Sequence, residues 1–140
     1  MSDASPPPEA GPPRPLRAEE TALVRKLLAG TRLEDELGRP LAEVLVGDMS
    51  DGGMGSIRFC ATEPQRRLYG STIGEGSFLD RDGTLVWVAL NLDQFGNLFE
   101  LDMWKVDFSP LLRYPDPRDF KIADPEQKPS LKRKGEKHHA

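Results

Sequence analysis

The segment Leu98-Phe99-Glu100-Leu101-Asp102-Met103-Trp104-Lys105 alternates apolar and polar residues. As a strand it sets Glu100, Asp102 and Trp104 on one face and Phe99, Leu101 and Met103 on the other. Alternate residues on one strand face lie about 6.5–7 Å apart. Two carboxylates at that separation can serve as acid and base, or acid and nucleophile, in glycoside hydrolysis. Glu75, between Gly74 and Gly76 in another extended run, can join Glu100 and Asp102 as a third carboxylate. This chemistry needs a deep cleft, and a small domain has little chain from which to build one. The same residues suit recognition better: Glu100, Asp102, Trp104 and Asp107 form an acidic surface with an aromatic anchor. No catalytic residue is assigned.

Other chemistry is limited by what the chain lacks. Its two histidines, His138 and His139, lie at the C-terminal end, so residues 16–114 have no imidazole for a general base or metal ligand. Cys60 is the only cysteine, which excludes an intrachain disulfide and a cysteine zinc site and favours a reducing compartment. No cofactor or metal is expected. The glycine-rich "DGGMGSIRF" at 51–59 raises the question of a phosphate loop. Such a loop continues into Lys and Ser or Thr at the start of a helix, whereas Gly55 leads into alternating Ser56-Ile57-Arg58-Phe59. The segment therefore reads as a tight turn whose glycines supply positive φ.

The elements that hold these residues follow from periodicity. Leu23, Val24, Leu27 and Leu28 share one face of a helix expected over 18–29, with acids early, bases late and Gly30 as its stop. "RLEDELGRP" at 32–40 can add a short helical turn ending at Gly38 before Pro40. Extended runs then follow at 41–49, 54–61, 68–79, 84–92 and 98–106, joined by turn signals that include Asp82-Gly83. The fourth run, "TLVWVALNL", is apolar on both faces and belongs inside the sheet. The expected fold is α+β: an N-terminal helix, possibly two, packed on a five-stranded antiparallel meander.

Composition bounds the rest. With 140 residues, 37% hydrophobic and 30% charged, the chain suits one domain. Proline-rich residues 1–15 read as a disordered N-terminus, 16–114 as the α+β domain, and 115–140 as a flexible, partly basic tail. "PPRPLR" at 12–17 fits a proline-motif ligand but reads as linker. Residues 121–140 hold six Lys and Arg against three Asp and Glu, leaving thirteen against twenty before them. The body is thus near −7, which repels nucleic acid and attracts basic surfaces. No run approaches the roughly 20 apolar residues of a membrane span, and the reading is a cytoplasmic protein.

The strings "GGMGS" and "ELDMWKVDFSPL", with "LRAEETALVRKLL", resemble a bacterial family known as a domain of unknown function, over about residues 14–115. Small acidic proteins of this shape are similar to immunity proteins that neutralise polymorphic toxins. That likeness implies a non-enzymatic inhibitor docking Glu100, Asp102, Trp104 and Asp107 on a basic protein, with no nucleic-acid or membrane partner. The alternatives are a small enzyme or ligand-binding domain using Glu75, Glu100 and Asp102, and a structural homodimer paired through a sheet edge. The chain is expected as a monomer or weak homodimer.

Overall fold

The computed structural model describes residues 10–61 and 66–123. The two histidines, the basic segment of the tail and most of the proline-rich start lie outside the described residues. The fold is α+β: helices α1 (Ala18–Leu28) and α2 (Glu34–Gly38) and a seven-stranded antiparallel sheet. The strands are β1 (Arg14–Pro15), β2 (Leu45–Asp48), β3 (Ile57–Phe59), β4 (Tyr69–Leu79), β5 (Leu85–Asp93), β6 (Leu98–Lys105) and β7 (Lys121–Ile122). Among the described residues no helix is long and apolar enough to cross a membrane.

The strand order β1-β2-β3-β6-β5-β4-β7 corrects the expected five-stranded meander twice. First, β4, β5 and β6 form a meander, but β3 pairs with β6 rather than β4. Cross-strand chemistry favours this join, because Ile57 faces Leu101 and Arg58 faces Glu100. Second, a two-residue strand is added at each edge. β1 lies on β2 and is fixed by Arg14, whose guanidinium bridges buried Glu20 at 2.7 Å and Asp48 at 2.8 Å. β7 lies on β4, where Phe120 packs against Phe78. The ordered sheet therefore includes residues on both sides of the expected 16–114 domain.

One face of the sheet carries the core. Leu23, Val24, Leu27 and Leu28 of α1 cover Val86, Val88 and Leu90 of β5 and Leu101 and Met103 of β6. Gly74 permits this contact, since a Cβ there would come within 2.8 Å of Leu27 O. Lys105 continues the Leu101 and Met103 row and is also buried. Its ammonium meets Asp80 and Asp82, each at 2.8 Å, and Pro110 O at 3.1 Å. Asp80 also accepts the N–H groups of Arg81, Leu112 and Arg113, so one buried ion pair ties the 80–83 turn to the 106–114 segment. Burial alone would raise the Asp80 carboxyl, but Lys105 and the backbone donors outweigh it and hold it below its usual value.

Candidate functional site

Among the described residues no helix covers the opposite face. Alternation along β5 directs Trp87, Ala89 and Asn91 there, and register assembles three rows across the strands. Thr72, Asn91, Glu100 and Arg58 form one row; Glu75, Ala89 and Asp102 the next; Ser77, Trp87 and Trp104 the third. Glu75, Glu100, Asp102 and Trp104 thus share a face. Glu75 and Asp102 flank the small Ala89 two strands apart, about 10 Å between Cα atoms.

Their environments differ. Glu100 is ion-paired with Arg58, its partner in register, and its side chain is largely covered. Ser56 Oγ lies 3.3 Å from Asp102, and its hydroxyl oxygen accepts the Met103 N–H at 2.8 Å. Trp87 Nε1–H donates to Glu75 at 3.0 Å. Asp107 lies in the turn after β6, exposed, and accepts both the side-chain and backbone donors of Ser109. Those bonds hold the Asp107 carboxyl below its usual value.

Phe99 departs from the expected alternation. Asn91 pairs with Glu100 and Leu92 with Leu98, so Phe99 is the extra residue of a bulge. Its ring is buried away from the helix-packed core and lies 4.8 Å from the Arg58 guanidinium and 5.1 Å from that of Arg67. These are cation–π contacts on the same side as Glu100.

Trp104 is more enclosed than an anchor on an open strand would be, at 9% exposure. It clusters with Trp87, Met54 and partly buried Ala123. Its Nε1–H is buried with no hydrogen-bond partner among the described residues. The aromatic surface presented to solvent belongs instead to Phe108, 51% exposed, whose ring lies 6.2 Å from that of Trp104. Phe108 also has φ of 63°, the one positive φ at a non-glycine among the described residues. A bulky side chain is costly there. Nothing in the residue pattern singles out Phe108, because its positive φ and its contact with Trp104 depend on the turn that follows β6.

The "DGGMGS" turn supports the same end of the face. Asp51 accepts the N–H groups of Met54 at 3.0 Å and Ser56 at 3.1 Å, while Gly52, Gly53 and Gly55 have positive φ. Gly53 O accepts the Leu111 N–H, and Tyr114 donates to Gly55 O at 2.8 Å. The chain then enters β3 and not a helix. Among the described residues no group of three or more His, Cys, Asp and Glu is placed to hold a metal ion.

The model of a family described as domain of unknown function DUF6984 matches residues 13–115. The chain belongs to that family. The match takes in both helices, strands β1 to β6, the "DGGMGS" turn and the Phe108 segment, and stops short of β7. No curated protein and no solved structure matches the chain. In this DUF6984 domain the functional reading therefore rests on the chemistry of the helix-free face.

Proposed function

We propose that the chain is a non-enzymatic binding domain that receives a basic protein segment on its helix-free sheet face, around Asp102, Trp104, Asp107 and Phe108. The observation that carries this reading is Phe108: a half-exposed aromatic with a positive φ, its ring tilted against that of a buried tryptophan, and adjacent in sequence to Asp107. An exposed aromatic at a strained backbone position, beside carboxylates, suits an interface anchor for a cationic partner. Glu100, the other expected contact, serves this surface by orienting Arg58. An immunity-type inhibitor holding a basic toxin in the cytoplasm fits this chemistry, and the acidic body favours such a partner electrostatically.

The test is affinity capture with the full chain as bait and Asp102→Lys/Asp107→Lys and Phe108→Ala variants as controls. Glu100 is left intact because reversing it would break its pair with Arg58. The reading expects a basic protein held by the wild type and lost by both variants. Equal capture by all three baits would refute it. One placement favours a second reading: Glu75 and Asp102 face each other across Ala89, as an acid and base would. Hydrolysis of a glycoside panel that is lost in both Glu75→Gln and Asp102→Asn would favour that enzyme.

A further inference from the structure

β4 is eleven residues long, yet among the described residues its outer side pairs with β7 only at Gly76 and Ser77. One further bond joins Ala123 N–H to Glu75 O at 2.8 Å. The outer backbone of residues 69–74 is thus an open edge among the described residues. Beside this edge, a groove of about 470 Å³ runs to the C-terminal end of α1. Leu27, Ile73 and Ile122 give it an apolar floor, and Glu75 is the one charged residue among the described residues that line it. The end of α1 adds the negative pole of the helix dipole.

We propose that this edge accepts an added strand: an extended segment of a partner protein that pairs with residues 69–74. It would seat an apolar side chain among Leu27, Ile73 and Ile122 and set a lysine or arginine beside Glu75. Main-chain pairing supplies the attachment and the groove selects the side chains, which is strand addition to a sheet edge. Charge favours such a partner over a second copy of the chain. Residues 69–75 contain no cation to meet Glu75. This surface goes beyond the face carrying Asp102 and Phe108 and shares only Glu75 with it.

The test selects peptides on the full-length chain from a displayed random library and follows amide hydrogen exchange with the enriched peptide bound. The inference expects enriched peptides in which apolar residues alternate with Lys or Arg, and slowed exchange within residues 69–74. It also expects an affinity loss of about tenfold or more in Ile122→Lys, with Asp102→Lys binding unchanged. Ile122 is 49% exposed, so its substitution leaves the fold intact, and Ile73→Lys gives a second reading of the same groove. Peptides displaced by Asp102→Lys but not by Ile122→Lys would overturn the edge inference and leave the face reading standing. Protection of residues 69–74 that rises with protein concentration alone would overturn it in favour of a second copy. An unchanged exchange pattern at residues 69–74 would also overturn it.

Discussion

Replacing Asp80 with alanine removes the centre of the polar network that ties the 80–83 turn to the 106–114 segment. Asp80 accepts from Lys105 at 2.8 Å and from the N–H groups of Arg81, Leu112 and Arg113 at 2.7, 2.9 and 3.2 Å. The Lys105 side chain is 1% exposed, so its ammonium would keep only Asp82, itself 40% exposed, and the Pro110 carbonyl. Removing one partner of a buried ion pair costs about 3–5 kcal/mol. Asp82 retains some of the interaction, which places the loss at about 3 kcal/mol, a large share of the 5–15 kcal/mol typical of a whole domain. With a urea dependence of about 1–3 kcal/mol per molar, the unfolding midpoint falls by about 1–3 M. Equilibrium urea unfolding, followed by tryptophan fluorescence and circular dichroism, measures it. Asp82→Ala is the control, with a much smaller shift expected because its carboxylate is partly solvated. A loss below about 1 kcal/mol for Asp80→Ala would show that the buried pair does not hold this end of the sheet together.

The same carboxylate sets a pH dependence. Its folded pKa lies below the usual 3.8, so its contribution is complete above about pH 4 and disappears as pH falls through the folded value. Urea midpoints of wild type and Asp80→Ala should therefore lie far apart at pH 7 and converge as the pH falls through the folded value; a constant gap would contradict the assignment. Gly76→Val tests the β7 edge, since even a Cβ at Gly76 would lie 2.3 Å from Phe120 Cζ and 2.5 Å from Lys121 O. It should displace Phe120 and β7, and hydrogen exchange at Lys121 and Ile122 should rise while the β5 amides stay protected. Unchanged exchange at those two residues would mean that the sheet accommodates the side chain without losing its edge.

The parts of the fold readable from sequence are those written as local periods. The α1 stripe of Leu23, Val24, Leu27 and Leu28, the doubly apolar β5 and the Asp82-Gly83 turn each carry their signal within a dozen residues. The two-residue edge strands carry none. β1 is held by Arg14 reaching Glu20 and Asp48, and β7 follows Phe120 at Gly76, so both depend on contacts between distant segments. The pairing of β3 with β6 had one hint in the Arg58 and Glu100 match. Strict alternation in β6 put Lys105 on the core side with Leu101 and Met103, a position that demands an acidic partner. The acid-rich turn at 80–82 supplies that partner, across more than twenty residues of sequence that no local period spans. Alternation misplaced Phe99 because a bulge, invisible in the residue pattern, inserts it beside Glu100. The site acids were legible as types on a face. Their commitments were not, because the Glu100 pair with Arg58 and the enclosure of Trp104 depend on neighbours from other strands.

The central claim is that the helix-free face binds a basic protein through Asp102, Asp107 and Phe108. The most direct measurement is the capture comparison, made quantitative by titrating the captured partner against the full chain and its variants. The account predicts wild-type binding that weakens with added salt. It predicts a loss of at least about tenfold for Phe108→Ala and complete loss for Asp102→Lys/Asp107→Lys, with unfolding midpoints unchanged. A partner that binds all three proteins with equal affinity would contradict the claim and move the binding surface off this face.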